Sequence, residues 1–402
     1  MFRTLFPAKS CPSIIRQFSV CELPKELRQI QDTCRNFAER ELKPVAAELD
    51  REGRFPAAQL AKLADLGLMR VTVAPEYGGS NLNMLAMSLI VEELSRGCAG
   101  TGAIVSIHNC LYANLLDRLG TGEQKDKFFT KYSRDTVGVF ALSEADAGSD
   151  VVALSTKADR DGRGWILNGT KAWVTSAREA KSGIVFATVD PKLKHKGITA
   201  FLLDFEDAEG LTIGRNEDKL GIRASSTCSL LLENVRIPDR NVLGQVGGGF
   251  RIAMEQLDRA RIGIASQALG IAQAALETAT EYAGQRIAFG QPLLKLDPVR
   301  TRIAEMAVRI ESARLLIRRA AGEVDQGGQQ ATKAISMAKW VAGETATFAA
   351  HNCLQILGGM GYVKDMPAER YYRDARITEI YGGVTDVQKA IVADHVIKEL
   401  GM

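Results

Sequence analysis

Four short stretches of this 402-residue chain bring polar groups and glycine together in patterns that suit ligand binding. FALSEADAGSD, from Phe140 to Asp150, is turn-rich and offers hydroxyls, backbone amides and Gly148. WVTS, from Trp173 to Ser176, sets an aromatic plane beside a hydroxyl. QILGGMGY, from Gln355 to Tyr362, interrupts a helical pattern with glycines, where backbone can come close to a ligand. In YGGVTD, from Tyr381 to Asp386, a bare Gly-Gly pair follows a charged helical approach, and an amphipathic helix resumes at about Thr385. Each stretch alone reads equally well as a turn or a helix cap.

Other chemistries are poorly supplied. The seven cysteines (Cys11, Cys21, Cys34, Cys98, Cys110, Cys228 and Cys353) are scattered and form no CxxC pair. They read as reduced intracellular thiols, not as a disulfide frame or a zinc site. The four histidines show no ligand spacing, so no metal is expected. Lys and Arg number 51 against 48 Asp and Glu, a net charge of +3 with no clustered basic face. Nucleic acid is therefore not an expected partner. No run of eighteen apolar residues suggests a membrane span.

The first twenty residues, MFRTLFPAKSCPSIIRQFSV, carry Arg3, Lys9 and Arg16, several hydroxyls, and no acid before Glu22. That composition reads as a mitochondrial transit peptide over residues 1–20, processed near residue 18, with the matrix as destination.

The elements that must position the four stretches follow from periodicity. Residues 21–136 show helical spacing of apolar residues, as in LRQIQDTCRNFAERELKPVAAELDR and MLAMSLIVEELSRGC. Residues 137–244 change to short strands with Asp-Gly and Asn-Gly as hairpin signals. Residues 245–402 are helical again. They begin with one very long proline-free helix after GQVGGGF, followed by helices from Asp297, from Gln329 and after Pro367. Their Ala-, Leu-, Ile- and Met-rich faces suit an antiparallel bundle. The fold class is α+β in three parts: helical domain, small antiparallel β domain, helical bundle.

From about Pro24 onward the chain resembles the acyl-CoA dehydrogenases, most closely the short-chain (butyryl-CoA) type. The resemblance rests on PEYGGS, NGTKAWVT, DKLGIRASST, RIGIASQALGIAQAAL, RIAFGQPL, QILGGMGY and MPAERYYRDARITEIY, in that order. It implies a homotetramer that binds FAD between the β domain and the bundle. It also implies α,β-dehydrogenation of acyl-CoA thioesters in mitochondrial fatty-acid or branched-chain amino-acid oxidation, with electron-transferring flavoprotein as electron acceptor. A thioester Cα–H is weakly acidic, so a positioned base must take it as hydride leaves Cβ.

The same resemblance distributes the roles. Phe140, Ala141, Leu142, Ser143, Glu144, Ala145, Asp146, Ala147, Gly148 and Ser149 would line the flavin with Trp173, Val174 and Thr175; Ser149 would also lie near the CoA chain. Asp258, Arg259, Ala260, Arg261 and Gly383 would contact acyl-CoA. Arg286 would reach the FAD diphosphate of a neighbouring subunit, its plainer alternative being a buried structural ion pair. Gln355, Ile356, Leu357, Gly358 and Gly359 would cradle the adenosine half, and Asp297, Val384, Thr385 and Asp386 match further cofactor positions.

Several of these positions depart from the family pattern. Where the family carries Tyr-Glu-Gly-Thr, with Glu as the base, this chain has Gly382, which has no side chain to accept a proton. The other family site for the base is Ala260, and Glu379 matches a glutamate beside the real base. Ala145-Asp146 replaces Pro-Gly, Asp297 replaces a Gln, and Val384 replaces a hydroxyl. Asp297-Pro298 reads locally as a helix N-cap and first-turn pair. The departures leave open a catalytically impaired homologue that acts as an FAD- or acyl-CoA-binding scaffold.

Overall fold

A computed structural model describes residues 23–327 and 331–402. The transit peptide reading and the expected helix start at Gln329 lie outside the described residues. The N-terminal part is helical from Lys25–Phe37 to Gly122–Thr130. The long amphipathic stretch after Pro24 is not one helix: it passes through a π-helical turn at Ala38–Leu42, and Ala46–Glu52 follows beyond Pro44. Proline has no N–H to donate and clashes with the preceding turn, which explains the break.

The β part contains β1 (Gly138–Ala141), β2 (Lys157–Asp161), β3 (Gly164–Thr175), β4 (Ser182–Thr188), β5 (Ile198–Asp204), β6 (Leu211–Ile213), β7 (Thr227–Pro238) and β8 (Val242–Leu243). They pair in the order β6-β7-β3-β2-β4-β5-β8, with β1 on β4. Most pairs are antiparallel, but β1 runs parallel to β4 and β2 meets it in parallel at Lys157–Thr188. The departure from an all-antiparallel sheet has a simple origin: β1 arrives from the helical domain, so no hairpin sets its direction.

Asp161-Gly162 does turn β2 into β3. Asn168-Gly169 does not turn: it lies within β3, where the register against β7 shifts between Leu167 and Gly169. There the Asn168 amide oxygen accepts from Asn234 N at 2.7 Å, which pins the irregularity across the two strands.

The helix Gly249–Gln285 runs 37 residues without a break. Its face of Ala265, Ala268, Ala272 and Ala275 is buried against Met84–Gly97 of the helical domain and Ala331–Leu357 of the bundle. Small side chains let these axes approach closely, and one apolar core continues from the helical domain through the sheet into the bundle. A smaller core lies where the π-helical turn His108–Ala113 and Gly122–Thr130 meet β4 and β5. Among the described residues no helix is long and apolar enough to cross a membrane.

Candidate active site

The sequence-predicted residues fall into three groups. The first is built on the sheet. β1 delivers Phe140 and Ala141 into a turn closed by Glu144 N to Ala147 O (3.0 Å) and Ala147 N to Glu144 O (3.3 Å). The buried Glu144 carboxylate accepts from Ser155 N (2.8 Å), Ser155 Oγ (2.6 Å), Thr156 N (3.0 Å) and Lys171 Nζ (2.7 Å). Burial opposes its charge, but Lys171 and these bonds prevail and hold the carboxyl at about 2. Lys171 is fully buried; burial brings its amine down to about 8 against the pull of Glu144, and Nζ also donates to Leu142 O at 3.1 Å.

The same strand then carries Trp173, Val174 and Thr175 past the turn, and Ala172 N donates to Ser143 O at 2.9 Å. The register against β7 shifts between Lys171 and Val174, and Trp173 sits at φ +61° with 65% of its surface exposed. A strained, uncovered tryptophan contributes nothing to this chain's own core and offers a flat face to a planar ligand. Ala145, Asp146, Gly148 and Ser149 are exposed on the same turn, whereas Leu142 and Ala147 are buried beneath it.

The second group is built on the long helix and the chain around Gly382. Arg261 Nε donates to Gly382 O at 2.9 Å, and Arg261 Nη1 to Asp258 Oδ1 at 2.6 Å. Thr332 Oγ1 donates to the second Asp258 oxygen at 2.6 Å. Lys339 Nζ (2.7 Å) and Gln388 Nε2 (3.1 Å) both donate to Gly383 O. Burial and the nearby Arg261 guanidinium bring the Lys339 amine down to about 8, with Glu379 opposing. Gly382 and Gly383 have φ of +66° and +98°, a conformation that favours glycine. A Cβ added at Gly382 would lie 2.3 Å from Ile264 Cδ1, so that methyl fills the first position of any side chain there.

Among the described residues, neither position 260 nor Glu379 gives this group a spare carboxylate. Glu379 accepts from Thr347 Oγ1 and pairs with Arg376 at 2.9 Å, and Ala260 is buried. Val384 and Thr385 are half-buried and Asp386 is exposed at the start of the last helix. No hydrogen bond or ion pair joins the first two groups among the described residues. The β domain is instead tied to the approach helix Ala368–Arg376 by Ile222 N on Asp374 (2.6 Å) and Arg373 Nη1 on Leu220 O (3.0 Å).

The third group lies far along the bundle. Arg286 ends the long helix, and the 25 residues separating it from Arg261 (286 − 261) span about 38 Å. It is exposed and without an ion pair among the described residues, so the buried structural pair considered from sequence does not occur. Beside it, Phe289 at a hairpin tip is 90% exposed. Asp297 is not an N-cap: Leu296 takes that place, and Asp297 becomes the first helical residue, 3.8 Å from Arg300. The extended backbone of the cap, φ −88° and ψ 126°, falls on Leu296, so the helix starts one residue earlier than the Asp297-Pro298 pair suggests. Gln355, Gly358 and Gly359 are exposed at the end of Ala331–Leu357, with open space at both glycines, while Ile356 and Leu357 are buried.

These surfaces fit a flavin dinucleotide. An exposed aromatic plane stands beside Thr175 on the sheet, and the bundle offers an unpaired Arg286 at the end of one helix and open glycine backbone at the end of another. Models of the acyl-CoA dehydrogenase N-terminal, middle and C-terminal domains match residues 24–135, 139–235 and 247–397. The chain belongs to the acyl-CoA dehydrogenase family.

Within that family it is 53% identical over 378 residues to the mitochondrial short-chain specific acyl-CoA dehydrogenase of Bos taurus, covering 94% of this chain and 91% of that protein. It superposes on butyryl-CoA dehydrogenase from Megasphaera elsdenii with a TM-score of 0.90 at 36% identity, over 94% of this chain and 99% of that one. PigA with FAD and proline superposes with a TM-score of 0.89 at 28% identity, over 94% and 98%.

The residues missed from sequence are Lys171, Ile264, Thr332, Lys339 and Gln388. Lys171 carried a usable signal, a lone cation in the strand NGTKAWVT; the others look like ordinary helix residues.

Proposed function

We propose that this acyl-CoA dehydrogenase oxidises short-chain acyl-CoA thioesters across Cα–Cβ in the mitochondrial matrix, using FAD and passing electrons to electron-transferring flavoprotein. The end-to-end 53% identity to a short-chain enzyme carries the reading. When bound, FAD supplies the acceptor for the hydride that leaves Cβ.

This chain's residues supply the rest. Trp173 and Thr175 give the flavin a face and a hydroxyl, on a turn that the Glu144–Lys171 pair holds fixed. Asp258 and Arg261 order the thioester end beside Gly382 and Gly383. Arg286, Asp297, Gln355, Gly358 and Gly359 serve the dinucleotide of a neighbouring copy, a reading supported by the distance of Arg286 from Arg261 and by its free guanidinium. The assembly is accordingly a homotetramer. Domain boundaries fall at 136/137 and 244/245.

The α-proton has no carboxylate at Gly382 or Ala260 to receive it, so it leaves to water. Turnover is then about 10²–10⁴-fold below that of a site with a positioned base.

The test is the visible spectrum of the full-length protein under anaerobic conditions, before and after butyryl-CoA. Slow bleaching of a yellow protein is the expected result. Band shifts without bleaching would mean that ligand binds and no hydride moves, which would replace the enzyme with a binding scaffold.

A further inference from the structure

The helical domain meets the start of β1 at a small cavity that the candidate site does not use. Arg70, His108, Tyr112, Tyr132, Thr136 and Ser182 contribute its polar lining, and its volume of ≈ 10 Å³ is room for about one water-sized species. The contact there is close: a Cβ on Gly138 would lie 2.3 Å from the Tyr112 ring. His108 and Tyr112 share one π-helical turn and stack at 5.8 Å, so both rings face the strand.

The lining has donors and positive charge in excess. Arg70 is only 7% exposed; Nη1 donates to Tyr77 O at 2.8 Å and Phe129 packs against the guanidinium at 5.2 Å. It has no carboxylate partner among the described residues. Burial disfavours its charge, Tyr112 opposes this, and the neighbouring Arg134 adds to it.

His108 Nδ1 accepts from Gly138 N at 3.0 Å, which assigns the ring hydrogen to Nε2. Nε2 lies toward the Met69 carbonyl without closing a hydrogen bond. Burial and Arg70 keep the ring neutral, with its acidity at about 3. Tyr112 and Ser182 share a single hydroxyl–hydroxyl bond of 2.7 Å, which leaves one of the two protons to give. Asp204, which bonds the lining residue Tyr132 (2.5 Å), is also taken by Lys131 (2.7 Å) and does not line the cavity. A buried cation without a counter-charge is strongly destabilising.

We propose that this cavity binds one small monovalent anion of the halide type, held by Arg70 and the Tyr112–Ser182 hydroxyls beside the neutral His108 ring. The anion fastens the helical domain to β1, the strand that leads into Phe140. Phosphate and carboxylate groups are too large for the space.

The test compares melting temperatures of the full-length flavin-loaded protein in sodium chloride, bromide and gluconate at equal ionic strength, for wild type and Arg70→Gln. Wild type should gain a few degrees saturably in chloride and bromide but not in gluconate. Arg70→Gln should lose that gain and melt no lower than wild type in gluconate, because it no longer buries an unbalanced charge. Equal behaviour of wild type in chloride and gluconate, or retention of the gain in Arg70→Gln, overturns the proposal. Should the variant not fold, bromide-soaked wild-type crystals decide: an anomalous peak between Arg70 and Tyr112 supports the site, and its absence at saturating bromide rejects it.

Discussion

The β-domain turn at Phe140–Ser149 and the bundle turn at Tyr381–Asp386 are both held by buried lysines, but in opposite ways. On the sheet, Lys171 grips the side chain of Glu144, and the turn takes its shape from that carboxylate. At the bundle, Lys339, Arg261 and Gln388 grip the main-chain carbonyls of Gly382 and Gly383. A backbone carbonyl is present whatever residue carries it. The bundle turn can therefore lose its side chain at residue 382 and keep its path, whereas the sheet turn cannot lose Glu144. The path of the bundle turn is independent of the side chain at residue 382, and that of the sheet turn depends on Glu144.

The sharpest way to exploit this difference is to place a carboxylate on the bundle turn. Gly382→Glu should accelerate flavin bleaching by butyryl-CoA by about 10²–10⁴-fold, the usual contribution of a positioned base. The backbone at φ +66° costs a non-glycine residue about 1–2 kcal/mol, and the Ile264 methyl stands in the way. Ile264→Val removes that methyl. Alone it should cost about 1 kcal/mol, as such core trimming does, but in the Gly382→Glu background it should restore stability. Denaturant melts of the four proteins read the coupling, and additive effects would show that Ile264 does not occupy the space a side chain at residue 382 needs.

The sheet turn should break outright. Lys171→Met leaves Glu144 buried with its carboxylate unpaired, a loss of about 3–5 kcal/mol. Urea unfolding and the flavin content of the purified variant measure it together. A cost below 1 kcal/mol would mean that the four bonds on Glu144 are not what shapes this turn.

Lys339→Met is the matched experiment on the bundle side, and its effect should be smaller, about 1 kcal/mol, because Gly383 O keeps Gln388 and no charge is orphaned. Weaker acyl-CoA affinity with little change in melting temperature is the expected pattern. A loss as large as that of Lys171→Met would erase the distinction between the two turns.

That distinction was invisible from local pattern, and the reason is sequence separation. The long helix was legible because Gly249–Gln285 contains no proline and repeats small apolar residues at helical spacing. The four candidate stretches stood out because glycines and hydroxyls interrupt those patterns. Lys171 and Glu144 lie 27 residues apart, Lys339 and Gly383 44, and Arg261 and Gly382 121. No periodicity reports such pairs. The same limit hid the parallel pairing of β1, since hairpin signals describe only neighbouring strands, and it hid Ile264, one apolar helix residue among many.

The finest test of the comparison is pH. Lys171 and Lys339 both lose their protons at about 8 in the folded protein, against an ordinary lysine value of about 10.4 when unfolded. Between those values the unfolded chain binds more protons than the folded one, so each lysine makes stability rise with pH, by at most about 1.4 kcal/mol per unit. Below pH 8 both states are protonated and the slope vanishes. In Lys339→Met, stability relative to wild type should therefore fall progressively from about pH 8 to pH 10 and stay level from pH 6 to pH 8, as read by urea midpoints at each pH. A flat difference across the whole range would mean that Lys339 stays charged against Gly383 O throughout.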